Sequence, residues 1–240
     1  MSDAVARLRP SPLTFPAEVA LPLDRVLWGP DIPDDSTLRL LPAVSGKRVL
    51  QLGAARGHTA VGLALAGAHV IVVDPDLAHL GAARDLAEEH EVRIELHHGE
   101  FAELPFVRAD SIDAALSVFD LGRTEDLDRV LRQVSRVLRT GAALVASFPH
   151  PAYAILDPES QGAPRLMRAY DDPTSRNVEG TTIWPRTIGE IWSAFHRANL
   201  RVDSLLEPRA MSTGRPSPFW TDTLRAAPAT LIVRGRNDGA

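Results

Sequence analysis

From Arg48 onward the chain switches between two hydrophobic periods. Arg48-Val-Leu-Gln-Leu52 is a short apolar run, and His69-Val-Ile-Val-Val-Asp74 is apolar at nearly every position. Runs of this kind predict strands of a parallel sheet covered on both faces. Between them, Ala60, Val61, Ala64 and Leu65 recur at helical spacing up to Gly67. Leu77, Leu80, Ala83, Leu86 and Ala87 predict a helix over 76–89, with Pro75 at its start. Residues 92–96 alternate as a third strand, 113–118 read as a fourth and 142–148 as a fifth. The stripe Leu127, Val130, Leu131, Val134, Val137 and Leu138 predicts an amphipathic helix over 125–138. Thr124 is its expected N-cap and Gly141 its stop. Thr187 with Glu190 forms a capping-box pattern ahead of a helix over 188–198. Residues 200–206 and 229–234 supply the sixth and last strands. Strands alternating with helices of this length predict a doubly wound, Rossmann-like α/β fold with right-handed crossovers.

Two regions break the rhythm. Residues 1–45 carry seven prolines, Pro10 to Pro42, which disfavour long helices. They read as an irregular arm on the main domain, with one short helix in 36–44 capped by Ser36. Residues 149–186 hold six prolines together with Tyr153, Tyr170 and Trp184, and read as an insertion with one short helix. The stretch 208–222, with Gly214, Pro216, Pro218 and Trp220, is irregular as well, and 235–240 reads as a frayed end. The regular halves are therefore 46–148 and 187–235, parts of one domain.

Composition narrows the chemistry. The 240 residues are 45% hydrophobic and 24% charged, with a formal net charge of −5. That balance argues against non-specific nucleic-acid binding, which needs a basic footprint. The absence of cysteine excludes disulfides, thiolate metal sites and cysteine nucleophiles. No window approaches a membrane span, and the first ten residues lack a long apolar segment, so a cytoplasmic protein is expected. His97 and His98 are adjacent on an extended segment and point to opposite faces, and with no cysteine and no His-x-x-x-His pairing no metal is expected.

The sharpest local signal is the strand–turn–helix unit over 48–66. Gly53 and Gly57 flank a tight turn at a strand end, where small residues let backbone approach a ligand and the next helix offers unpaired amides. Asp74 closes the next strand, 21 residues beyond Gly53, and a carboxylate there can accept both hydroxyls of a ribose. The dinucleotide fingerprint fits poorly, because its second and third small positions fall on Ala55 and His58. The wider spacing suits a nucleoside cofactor without a pyrophosphate.

Val49-Leu-Gln-Leu-Gly-Ala-Ala-Arg-Gly57 resembles motif I of the class I S-adenosylmethionine-dependent methyltransferases. Gln51 stands at that motif's acidic position, and Ala55 at its middle glycine. Residues 67–76, ending Val-Val-Asp-Pro-Asp76, resemble the next motif, and Gly99-Glu-Phe-Ala-Glu-Leu-Pro-Phe106 a third. Ser111-Ile-Asp-Ala-Ala-Leu-Ser117 and Arg136-Val-Leu-Arg-Thr-Gly141 continue the pattern in order. The resemblance implies a seven-stranded, mostly parallel sheet with an antiparallel last strand, with 46–148 as its cofactor-binding half. It implies S-adenosyl-L-methionine as cofactor. Gly53, Ala54 and Gly57 would meet its aminoacyl end, Asp74 with Pro75 its ribose, Asp76 assisting. Glu100 and Phe101 would meet the adenine, and Ser117 and Phe119 the methyl group.

Methyl transfer needs alignment and exclusion of water more than acid–base chemistry, because the sulfonium is already activated. A base is needed only for a protonated acceptor. His150, just after the fifth strand, is the expected catalytic base. Tyr153, Tyr170 and Trp184 are expected walls of an acceptor pocket in 149–186, Trp28 a cover for the cofactor, and Arg186 a contact for an acidic substrate. The expected reaction is transfer of a methyl group to an oxygen or nitrogen of a small molecule. A non-catalytic cofactor-binding protein and an NAD-dependent oxidoreductase are the alternatives. Monomer and homodimer are not distinguished.

Overall fold

The computed structural model describes residues 15, 20–157, 160, 163–178, 181–210 and 222–239. The irregular stretch predicted over 208–222 falls mostly outside them, as does most of the first twenty residues. Nine strands and six helices are formed among the described residues. The strands are β1 (Arg48–Leu52), β2 (His69–Asp74), β3 (Glu95–His98), β4 (Ile112–Val118), β5 (Leu138–Pro149), β6 (Arg176–Val178), β7 (Thr181–Ile183), β8 (Leu200–Leu206) and β9 (Thr230–Asn237). The helices are α1 (Asp35–Leu38), α2 (His58–Leu65), α3 (Leu77–Glu89), α4 (Leu127–Val137), α5 (Pro151–Ala154) and α6 (Ile188–Arg197). Single 3-10 turns lie at Asp120–Arg123 and Asp222–Arg225.

Seven strands form one sheet in the order β3-β2-β1-β4-β5-β9-β8. β9 runs antiparallel to both its neighbours, and every other pair is parallel. This is the Rossmann-like sheet expected above, with its last strand reversed. Strand order reverses between β1 and β4, which opens a crevice at their carboxyl ends. β6 and β7 form a separate two-stranded ribbon.

The two-residue period of the strands builds two cores. Leu50, Leu52, Ile71, Val73, Leu144 and Ala146 face the side covered by α4 and α6. Val49, Val70, Val72 and Val145 face the side covered by α2, α3 and the arm. Leu127, Val130, Leu131, Val134 and Val137 bury the predicted stripe of α4, and Ile191, Ala194 and Phe195 that of α6. From the residues ahead of β1, Val26, Trp28, Ile32 and Leu40 are part of the second core.

Several boundaries differ from the periodicity, each for a local reason. Asp126, not Thr124, caps α4, because its carboxylate accepts the Arg129 amide at 2.8 Å. Asp34, not Ser36, caps the short α1. β3 starts three residues later than the alternation predicts and runs to His98. β5 begins at Leu138, so Gly141 lies within the strand at φ 81°, beside a register shift against β4. The end expected to fray is held to Asn237, whose side-chain amide donates to the Leu138 and Ser135 carbonyls. The capping box of α6 forms as predicted, with Thr187 and Glu190 bonding reciprocally. No helix among the described residues is long and apolar enough to cross a membrane.

Candidate active site

At the crevice, β1 runs into the turn 53–57 and β4 into the 3-10 turn 120–123. Gly53 adopts φ 94°, Ala55 φ 44° and Gly57 φ 78°, so the turn needs left-handed backbone three times. The glycines accept this freely, while Ala55 carries the strain of a β-carbon there. Gly57 is the N-cap of α2, and its missing side chain answers to packing. A β-carbon on it would lie 2.6 Å from the Ala83 α-carbon of α3. A β-carbon on Gly53 would lie 1.8 Å from Oδ2 of Asp120.

A pocket opens over this turn, lined by Gln51, Gly53, Ala54, Ala55 and Arg56 from one side and by Val118, Phe119 and Asp120 from the other. The arm supplies the facing wall through Leu21, Pro22, Arg25 and Leu27. Trp28, expected there as a cover, is instead fully buried in the core, with its indole N–H donating to Asp35 at 3.0 Å.

Asp74 braces the turn. Its Oδ2 accepts the Ala54 amide at 2.7 Å and His79 Nδ1 at 3.1 Å, and its Oδ1 accepts the Asp76 amide at 2.8 Å. Burial pushes this carboxyl up, but the His79 bond and the two amides outweigh it and hold it below the usual carboxylate range. The Asp74 bond raises His79 against its own burial. Pro75 accepts His98 Nε2 on its carbonyl at 3.1 Å, and His97 stacks on Phe106, so the two histidines point apart as expected.

The other expected cofactor residues are placed unevenly. Phe101 is buried in the first core, and Glu100 is exposed on the turn leading into it. Ser117 is fully buried and donates to the Leu52 carbonyl at 2.9 Å, tying β4 to β1. The residues of β4 that reach the pocket are its last, Val118, and the following Phe119 and Asp120.

His150 is buried, and both of its ring nitrogens are engaged. Nε2 donates to Glu207 at 2.7 Å, and Nδ1 accepts the Ala152 amide at 3.1 Å as the N-cap of α5. In this arrangement the ring has no lone pair for an acceptor proton, which sets the geometry against the expected base. Tyr170 accepts the Ile188 amide at the start of α6. Arg186, expected to meet a substrate, donates to the carbonyls of Thr124, Glu125 and Trp184, and burial lowers its guanidinium. Its work is to staple the insertion to the start of α4. Among the described residues no group of three His, Asp or Glu side chains gathers to hold a metal ion.

Asp120 is the residue that sequence reasoning missed. It is 3% exposed, and its Oδ1 accepts Arg123 at 2.9 Å. Burial raises its carboxyl to about 7, against the pull of Arg123. The signal available in sequence was an acidic residue two positions beyond a strand end. Such a residue ordinarily lies in solvent. Here Phe119 turns at φ 66° and sends the next side chain inward.

Sheet order, turn and pocket at the β1–β4 switch define a class I S-adenosylmethionine-dependent methyltransferase fold. The model of the methyltransferase domain family matches residues 49–141, the segment that carries this turn. A demethylmenaquinone methyltransferase of Clavibacter sepedonicus is 30% identical over 138 residues, which are 57% of this chain and 51% of that one. A ubiquinone biosynthesis O-methyltransferase of Hahella chejuensis is 32% identical over 105 residues, 44% of each. The chain therefore spans about half the length of these relatives. An S-adenosylmethionine-dependent methyltransferase from Mesorhizobium loti has the same fold, with a TM-score of 0.72 at 24% identity, covering 84% of this chain and 95% of that one.

Proposed function

We propose that the chain transfers a methyl group from S-adenosylmethionine to an oxygen or nitrogen of a small molecule. The observation that carries the reading is the turn 53–57, braced by Asp74 through the Ala54 amide beneath a pocket at the sheet's switch point. The residues fit the cofactor on a structural ground. Gln51 Oε1 is buried at the pocket without a hydrogen-bond partner among the described residues, an acceptor suited to an ammonium donor. When bound, the cofactor supplies an electrophilic methyl group. The chain's part is to hold it, align the acceptor and exclude water.

In this reading Gly53 and Ala54 meet the aminoacyl end. Asp74 meets the ribose, once the His79 side chain yields its place on Oδ2. Glu100 and Phe101 stand on the adenine side. The insertion 149–186 forms the acceptor wall. The Trp184 amide, bonded to the Gly122 carbonyl at 3.0 Å, keeps the β6–β7 ribbon beside the pocket loop. Alignment carries the reaction, and His150 is a positioning residue whose nitrogens are held by Glu207 and Ala152. The relative named as a ubiquinone biosynthesis O-methyltransferase supports an aromatic hydroxyl as acceptor, while another, named as a ubiquinone/menaquinone biosynthesis C-methyltransferase, makes a ring carbon the competing acceptor.

Calorimetric titration with S-adenosylhomocysteine, beside NAD, tests the reading. Micromolar binding of the first and none of the second is expected. Binding of NAD alone would transfer the pocket to an oxidoreductase. Binding of neither would remove the cofactor claim. A non-catalytic binder would bind S-adenosylhomocysteine yet turn over no acceptor in a screen of phenols, quinols and amines.

A further inference from the structure

Two acceptors at the same end of the pocket want a cation. Gln51 Nε2 donates to the Gly53 carbonyl at 2.7 Å, which fixes the amide's orientation and leaves Oε1 buried with no donor among the described residues. A buried acceptor without a partner is uncommon and costly. Across the Gly53 α-carbon lies the Asp120 carboxylate. Arg123 engages its Oδ1, while Oδ2 faces Gly53. Both residues line the pocket.

Carboxylates and cations meet around Asp120. Arg123 pairs with Asp120, and His79 with Asp74. Asp76 reaches His79 as well, its carboxylate 3.8 Å from Nε2. Burial, with the Asp74 charge adding to it, disfavours ionisation of Asp120 against the pull of Arg123, and groups so placed in a cleft are candidates for ligand contact. The pocket's lining also includes Arg25 and Arg56, so positive and negative groups share one cavity. That is complementary to a zwitterionic α-amino acid.

We infer that Asp120, with Gln51 Oε1, binds the ammonium of the cofactor's amino-acid end, so that the carboxylate of this site comes from the loop after β4 instead of from β1. The inference rests on the proposed cofactor. It adds a ligand-binding residue outside the motif, and it explains why an uncharged amide at Gln51 is compatible with binding. The geometry accounts for Gly53 as well, since only a residue without a β-carbon leaves Asp120 room at the turn.

The test is calorimetric titration of the full chain and of Asp120→Asn with two ligands. S-adenosylhomocysteine carries the ammonium; 5′-methylthioadenosine keeps the nucleoside and lacks the amino acid. Loss of one charge-assisted hydrogen bond predicts that Asp120→Asn weakens S-adenosylhomocysteine by about 10- to 100-fold. Binding of 5′-methylthioadenosine should stay within about threefold, the scale on which an untouched contact varies. A thermal melt of the ligand-free variant no lower than that of the parent shows that the loss is not unfolding. Equal weakening of both ligands, or no weakening of either, overturns the inference while leaving the cofactor reading intact. Failure of the parent to bind S-adenosylhomocysteine overturns both.

Discussion

At the scale of residues, Asp120 and His150 show how burial decides function. Asp120 titrates near pH 7 in the folded chain against 3.8 for an ordinary aspartate. Between those values the folded state holds a proton that the unfolded state has released. Stability therefore falls as pH rises across that window, by up to about 1.4 kcal/mol per pH unit from this group. Urea unfolding of the ligand-free chain should show this decline, and Asp120→Asn should flatten it. His79, raised by Asp74, adds stability at low pH that disappears above its own titration, so part of the slope will remain in that variant. For His150, removal of the ring deletes a helix cap and the Glu207 pair. His150→Ala should cost about 1 kcal/mol in urea unfolding. Turnover on an identified acceptor should fall less than tenfold, whereas loss of a general base costs about 10²–10⁴.

At the scale of elements, the turn 53–57 and α6 carry opposite lessons. Gly57 is needed at a left-handed φ and against α3, so Gly57→Ala should destabilise by at least about 2 kcal/mol through strain and overpacking. Its effect on the Kd for S-adenosylhomocysteine should be small where the variant is folded, since the residue does not line the pocket. Thr187→Ala should cost about 1 kcal/mol through loss of the capping box. Chemical denaturation checks both. The box was legible because all its parts lie within four residues. The N-cap of α4 was harder to read, because Thr124, Asp126 and their neighbours offer several competing oxygens. In the fold it is the Asp126 carboxylate that accepts the Arg129 amide.

At the scale of the whole molecule, ligand and fold are coupled. The pocket is assembled from β1, the loop after β4 and the arm, segments separated by up to about a hundred residues in the chain. Saturation with S-adenosylhomocysteine at 100 times its Kd should stabilise the protein by about 2.7 kcal/mol, read as a rise in thermal midpoint that NAD does not produce.

The doubly wound sheet, the two faces of its strands and the stripes of α4 and α6 follow from the sequence by itself. Each is a repeating local pattern whose period matches a backbone geometry, and burial of the apolar phase leaves few ways to assemble them. The turn at Gly53 and the carboxylate at Asp74 were legible for a similar reason, since both sit at fixed places relative to strand ends. Tertiary structure alone decided the rest. It committed the nitrogens of His150 and the guanidinium of Arg186 to protein partners, took Trp28 into the core, turned Gly57 toward α3, and brought Asp120 against Gly53. Those outcomes depend on which distant groups meet in space and on how much water remains between them, and no periodicity along the chain encodes either.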